Sequence, residues 1–419
     1  MINVIELFAG VGGFRIGLEA VGGFDVVWGN QWEPSKKAQH AFDCYARNFL
    51  GKGQHSNEDI STVDIDIFKK RNIDMIVGGF PCQDYSVARS LNGEKGITGK
   101  KGVLFWEITR LMKETSPKYV LLENVDRLLK SPSKQRGRDF SIMLASLRDL
   151  GYTVEWRVIN AAEYGQAQRR RRVFIFATKD ETSYVLNRES KEDSEMIHKE
   201  GFFASIFPVK DIVSEKKKPK SFIMKRDLVE ISDVFSMDYY NAGIMRGDVV
   251  YTEEVIPQDE KPITLGEILE SNVDDKYYLS DAAIEKFTYL KGPKKIERTS
   301  ATGHNYVFSE GGMAFPESLD KPGRTMLTSE GTINRSTHVV EDPQTKRLRI
   351  LTPIECERLN GFPDNWTDSM TDRMRYFCMG NALVVGLIER MGKRIIEIEI
   401  ENANGNQVEL DLIFSETDY

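Results

Sequence analysis

"NVIELFAGVGGFRIGLEAV", residues 3–21, reads as a strand, a turn and a helix in direct succession. Val4, Ile5 and Leu7 make an apolar strand, Gly10, Gly12 and Gly13 break it, and apolar residues at helical spacing follow. Glycines at a strand-to-helix turn let the backbone reverse and approach a ligand, and the helix start offers free N–H groups. The spacing is FxGxGG from Phe8, not GxGxxG, and Phe14 stands in the region of the missing glycine. That pattern suits a ligand with a carboxylate and a ribose better than one with two phosphates. An ordinary tight turn gives the same local signal.

Outward from this unit the alternation continues. "FDVVWGN" (24–30), "DMIVGGF" (74–80), "YVLLENV" (119–125), "YTVEWRVINAAEYG" (152–165) and "RRVFIFAT" (171–178) read as strands. Helical patterns fall between most of them, in 34–49, 103–116 and 140–151. Strands alternating with helices predict an α/β fold, a Rossmann-like, mostly parallel sheet with helices on both faces and ligands at the carboxyl ends of the strands. The alternation stops near 181. Residues 181–345 are polar and loop-rich and read as a smaller inserted domain, and 346–419 as a return to the first, with a helix signal in 380–400.

The composition fits a folded globular chain: 419 residues, 40% hydrophobic and 29% charged. No apolar run approaches the roughly 20 residues of a membrane span, and no secretory pattern opens the chain. Four scattered cysteines read as reduced thiols in a cytoplasmic protein. With five histidines, none clustered, no metal site is expected. Net charge is −7, yet "RRRR" (169–172), "KKKPK" (216–220) and the basic residues of 89–138 concentrate cations that suit phosphates.

One cysteine is placed unlike the others. "GGFPCQDYSVARS" (78–90) carries Cys82 straight after Pro81, at a strand's end in a glycine-rich loop, where chemistry is expected. Cys44, Cys356 and Cys378 lie within helical patterns and read as incidental thiols. Beyond the glycine turn, Gln31, Trp32 and Glu33 end the second strand, and Asp59 and Ile60 in "NEDIS" offer an acceptor and an apolar edge for an adenine.

Together these stretches resemble the C5-cytosine-specific DNA methyltransferase family. "ELFAGVGGF" (6–14) is similar to its S-adenosylmethionine motif, "GGFPCQDYS" to its Pro-Cys loop and "LLENV" (121–125) to its Glu-Asn-Val motif. "YGQAQRRRRVFIFA" (164–177), "RLRILTPIECERLNGFPDNW" (347–366) and "GNALVV" (380–385) resemble its Gln-x-Arg-x-Arg segment and its last two motifs, in order. The family usually has a glutamate just before the tryptophan that follows the second strand. Here that position is Gln31, with Glu33 two residues on, so either side chain is left to meet the ribose.

The resemblance implies duplex DNA as partner and a target cytosine flipped out of the stack. Cys82 is the implied nucleophile, adding to C6 so that C5 becomes reactive. Pro81 fixes the approach to it, and Arg170 and Arg172 are the cations that favour its thiolate. Glu123 meets the N3–N4 edge of the base, where sharing a proton requires a raised pKa, and Asn124 shapes the loop. Phe8, Gly10, Gly12, Gly13, Gln31, Trp32, Glu33, Asp59, Ile60 and Asn381 are the cofactor candidates. Ser86, Arg89 and Ser90 are placed near the extruded nucleotide, in a loop (87–102) expected to close over DNA. Residues 181–345 correspond to the region where the family keeps its target-recognition domain, and Thr328, Ser329 and Arg335 are candidates there. "NQWEPSKKAQHAFDCY" (30–45), "RSLNGEKGI" (89–97) and "KGPKKIERTS" (291–300) resemble a subgroup of bacterial restriction–modification enzymes that protects GATC. A monomer on DNA and a cognate endonuclease are further expectations. An RNA cytosine methyltransferase of the same fold is the alternative, and a nicotinamide oxidoreductase and a catalytically inert DNA-binding relative are more distant ones.

Overall fold

The computed structural model describes residues 1–34, 36–69, 71–80, 104–211, 217–300 and 303–416, the last twelve of these as helical backbone only. The chain forms two compact units. The first comprises Met1–Glu163, Arg171–Asp259 and Val385–Tyr419, and the second Tyr164–Arg170 and Glu260–Val384.

The first unit is built on a ten-stranded sheet of order β3-β2-β1-β4-β5-β7-β6-β9-β10-β8. Its parallel half is β1 (Ile2–Leu7), β2 (Phe24–Asn30), β3 (Gln54–Ser56), β4 (Met75–Gly79) and β5 (Tyr119–Val125). These strands are nearly continuous apolar runs because both faces are covered. Val4, Ile5, Leu7, Met75, Ile76 and Val77 are all fully or almost fully buried. The antiparallel half is β6 (Tyr152–Asn160), β7 (Arg171–Lys179), β8 (Lys220–Ile223), β9 (Ala242–Arg246) and β10 (Val249–Glu253). The sheet is therefore mixed rather than mostly parallel. Residues 181–259, expected to begin an inserted domain, belong to the first unit, because β9 pairs with β6 and carries β10 and β8 with it.

Helices α1 (Gly13–Val21), α2 (His40–Asn48), α3 (Leu104–Thr115) and α4 (Arg138–Arg148) belong to this unit, α4 packing against β6 and β9. In α3 the apolar residues Phe105, Ile108, Leu111 and Met112 form one buried stripe. Each such side chain contributes roughly 1.5–3 kcal/mol by leaving water. Gly17 of α1 is in close contact with the long C-terminal helix of this unit, Val385–Glu416. A Cβ at position 17 would lie 2.6 Å from Ile388, so a larger residue would push the two helices apart.

Strand order fixes the place of the site. The chain moves outward from β1 to β2 and β3, then crosses back to β4 on the other side of β1. The carboxyl ends of β1 and β4 thus lie side by side at a switch point, where open α/β sheets bind ligands.

The second unit contains α5 (Asp281–Lys291), two antiparallel pairs and two further helices, α6 (Pro353–Leu359) and α7 (Asp372–Asn381). The pairs are β11 (Lys294–Thr299) with β12 (Asn305–Glu310) and β13 (Val339–Glu341) with β14 (Leu348–Ile350). Thr352 and Glu355 form a capping box that starts α6, with Pro353 at its first turn. Arg349, fully buried, ties this start to β13–β14 through Asp342 at 2.9 Å and Glu355 at 2.7 Å. Burial works to raise the Asp342 pKa, but N–H donors of Thr345 and Gln344 and the Arg349 guanidinium hold it down at about 2.

Candidate active site

The glycine turn is built by three backbone devices. Phe8, Gly10 and Gly12 all take positive φ (54°, 57° and 92°), which lets β1 turn into α1 within five residues. The Ala9 N–H donates to the Asn30 carbonyl at 2.9 Å, and the Gly12 N–H to the Ala9 carbonyl at 2.8 Å. The Gly10 N–H donates to the side-chain Oε1 of Gln31 at 2.8 Å. Gln31 thus staples the end of β2 to the turn. A Cβ at Gly10 would meet nothing within 4 Å, so the turn faces open space, whereas one at Gly12 would meet the Phe49 ring at 2.5 Å.

The other cofactor candidates divide. Trp32 is 38% exposed beside Gln31, and Glu33 has its backbone clamped on both sides by the Gln39 carboxamide. Asp59 uses its carboxylate to cap a short 3-10 turn, accepting from the Ser61 N–H and hydroxyl. Ile60 is buried in the main core, and Arg110 of α3 holds its carbonyl at 2.6 Å. An open glycine turn, an exposed indole and nearby carboxylates fit a nucleoside bearing an amino-acid tail. Asn381, the exposed last residue of α7, lies in the second unit.

Beneath the turn lies a buried network that the sequence reading did not single out. Glu6 of β1 accepts from the Arg15 N–H at 3.3 Å and from the Tyr45 hydroxyl at 2.8 Å. Arg15 reaches the Tyr45 oxygen at 3.3 Å, the Lys52 carbonyl at 3.0 Å and Glu19 at 2.7 Å. Burial raises the Glu6 pKa to about 7 despite these donors, and burial also pushes the Tyr45 hydroxyl up. Gly29 is required here, because a Cβ on it would lie 2.2 Å from the Tyr45 oxygen.

The strands next to the turn bring together the chemistry-bearing groups. Gly79 pairs with Glu123 between β4 and β5, and Val125 with Arg172 between β5 and β7. The Arg172 Nε lies 2.8 Å from Oε1 of Glu123, both side chains being mostly buried. Gly79 makes room for this carboxylate, since a Cβ there would stand 3.1 Å from Oε2. Asn124 points the other way and donates to the Phe80 carbonyl at 2.8 Å. It therefore anchors the last described residue before Pro81. Pro81, Cys82, Ser86, Arg89 and Ser90 lie outside the described residues. Cys44, Cys356 and Cys378 are buried, and burial together with Glu330, Glu355 and Glu357 pushes the Cys356 thiol far above its usual range. A buried neutral thiol is a poor nucleophile.

Arg170 is differently employed from Arg172. It is buried in the second unit and donates to the carbonyls of Met326 at 3.2 Å and Gly380 at 3.1 Å. Gln168, two residues earlier, donates to Asn360 at 2.7 Å and accepts the Met326 N–H at 2.9 Å. Side chains at 168 and 170 thus brace the second unit. Of the recognition candidates, Thr328 is exposed and the Ser329 carbonyl is taken by Thr332 and Asn334. The Arg335 guanidinium is engaged by the carbonyls of Leu290, Gly292 and Gly311 and by Glu310.

Among the described residues no cluster of His, Cys, Asp and Glu is placed to hold a metal ion, and no helix is long and apolar enough to cross a membrane.

Comparison with known proteins agrees along nearly the whole chain. The sequence model of the C-5 cytosine-specific DNA methylases matches residues 2–397. The chain is 58% identical to Type II methyltransferase M.Sau3AI of Staphylococcus aureus, over 98% of this chain and 99% of that protein. It is 24% identical to Type II methyltransferase M.HhaI of Haemophilus parahaemolyticus, over 94% of each. Among solved structures, a Spodoptera frugiperda DNMT2 mutant has the same fold, with a TM-score of 0.59 at 14% identity, covering 94% of this chain and 100% of that one.

Proposed function

The chain belongs to the C-5 cytosine-specific DNA methylase family and depends on S-adenosylmethionine, and from that premise we propose a covalent mechanism and a target for it. The observation that carries the mechanism is the Arg172–Glu123 pair, seated against Gly79 two residues before Pro81.

Cys82 adds as a thiolate to C6 of a flipped cytosine. Glu123 faces the N3–N4 edge and passes to N3 the proton taken up as the ring loses aromaticity, a proton its carboxyl gains when the bound base displaces solvent, since Arg172 alone favours the ionised form. Arg172 holds that carboxyl in place and adds positive potential near the thiolate. When bound, S-adenosylmethionine supplies the methyl group that C5 takes up, and it leaves as S-adenosylhomocysteine. N3 then returns its proton to Glu123, and transfer of the C5 proton to water restores the C5–C6 double bond and expels the Cys82 sulfur as thiolate. Asn124 positions the loop through the Phe80 carbonyl. The glycine turn from Phe8 to Gly13, Trp32 and Asp59 hold the cofactor, Ile60 contributing through its backbone. Glu33 is the proposed acceptor for the ribose hydroxyls, while Gln31 braces the turn by accepting the Gly10 N–H.

GATC is the proposed target, supported by the three segments that resemble the GATC-protecting subgroup. The protein works in the bacterial cytoplasm as a monomer on DNA and protects that DNA from a cognate endonuclease. Bisulfite sequencing of DNA from cells expressing the protein tests the target. Protection confined to GATC cytosines is expected, and protection confined to another tetranucleotide removes the assignment.

A further inference from the structure

The β11–β12 pair has a property that the rest of the fold lacks. Its strands are six residues each, they pair with each other and with no other strand among the described residues, and none of the twelve is buried. An isolated two-stranded ribbon is marginal in water, so an exposed one that carries Tyr306 (43% exposed) and Val307 (59%) calls for a partner surface.

The base of the ribbon is clamped. Arg335 gathers the carbonyls of Leu290, Gly292 and Gly311, and the Lys294 ammonium meets the Leu290 carbonyl at 3.2 Å and the Tyr289 ring at 4.6 Å. Its far end is set up for polar recognition. Thr299 and Asn305 face each other across the last register position, and the Thr299 hydroxyl donates to the Asn305 Oδ1 at 2.7 Å. That bond takes one lone pair of the Oδ1 of an exposed residue and leaves a second lone pair on it and the two NH2 donors for a base edge. Arg298 lies over the Phe308 ring at 4.1 Å, exposed but held. On the ribbon, Lys294, Lys295 and Arg298 outnumber Glu297 and Glu310, on a chain whose net charge is −7.

We propose that this ribbon is the element that enters the DNA major groove, with Asn305 reading a base edge and Arg298 meeting the phosphate backbone. The proposal rests on the DNA methyltransferase reading and deepens it. The major groove admits a two-stranded ribbon, and a carboxamide pairs in two-point fashion with the N6 and N7 of adenine. Arg335 is then a positioning residue at the ribbon's base rather than a base contact.

The test uses the full-length protein and its Asn305→Ala and Arg298→Ala variants. Duplex affinity and methyl transfer are measured on a site-containing and a site-free duplex, with S-adenosylhomocysteine binding and thermal unfolding as controls. Asn305→Ala is expected to lose about tenfold in affinity for the site duplex and to narrow the gap between the two duplexes. Arg298→Ala is expected to weaken both alike and to lower the slope of log affinity against log salt by about one. Both variants should bind S-adenosylhomocysteine as the parent does. Wild-type affinity and site preference in both variants would overturn the proposal. So would a change in oligomeric state with DNA binding intact, which would assign the ribbon to a second copy of the chain. A parent protein that binds S-adenosylmethionine but methylates no duplex DNA would instead bring down the reading beneath it.

Discussion

The guanidinium of Arg172 lies 2.8 Å from the carboxylate of Glu123, across two strands that run antiparallel, and both side chains are largely withdrawn from water. Each residue therefore depends on the other for its placement. Glu123→Gln keeps the shape of the pocket but removes the proton donor, and should lower kcat by about 10²–10⁴-fold with DNA affinity little changed. Arg172→Leu should cost a similar amount. The double variant should lose far less than the product of the two, because the pair acts as a unit. Single-turnover methyl transfer measures all three.

Gln31 and Gly10 make a prediction about the cofactor alone. Gln31→Leu removes the acceptor of the Gly10 N–H and frees the glycine turn. A lost hydrogen bond of this kind is worth about 0.5–1.5 kcal/mol, so affinity for S-adenosylhomocysteine should fall by a few-fold up to about tenfold. Titration calorimetry with S-adenosylhomocysteine, which needs no DNA, is the measurement.

Glu6 makes a prediction about pH. Burial raises its pKa from 4.5 in the open chain to about 7 in the fold. Between those values the folded state binds more protons than the unfolded one, so the sign is destabilising with rising pH. Stability should be highest from this group below about pH 4.5, fall through pH 7, and level off above it. A fall of a few kcal/mol at most is the scale of such a shift. Glu6→Gln, measured by denaturant unfolding at pH 5.5 and pH 8, should flatten that part of the profile.

Arg349 tests the second unit. With Asp342 and Glu355 both paired to it and buried, Arg349→Leu leaves two carboxylates without their cation. Loss of one partner from a buried charge set costs about 3–5 kcal/mol. Thermal unfolding should show a clear drop, with Asp342→Asn less damaging than Arg349→Leu.

The parallel half of the sheet was legible because its strands are continuous apolar runs separated by amphipathic helices. The antiparallel half beyond β7 was not. β8, β9 and β10 have only four or five residues each, in a polar region, and what makes them strands is pairing with β6 and with one another. The place of Glu123 and Asn124 near the end of a strand was legible because the strand is an apolar run next to a marked loop. The contact of Glu6 with Tyr45 was not, because they meet across 39 residues of chain and no local spacing announces it. Nothing local to Arg335 in the sequence announces that the carbonyls of Leu290, Gly292 and Gly311 engage its guanidinium.

Trapping the covalent bond tests the central claim most directly. The protein is mixed with S-adenosylmethionine and a duplex carrying 5-fluorocytosine at the target position, where the absent C5 proton prevents release of the sulfur. Digestion and mass spectrometry should find one protein–DNA adduct, on the peptide containing Cys82, and none with Cys82→Ala. No adduct in the parent protein, or an adduct through any other residue, would contradict the mechanism.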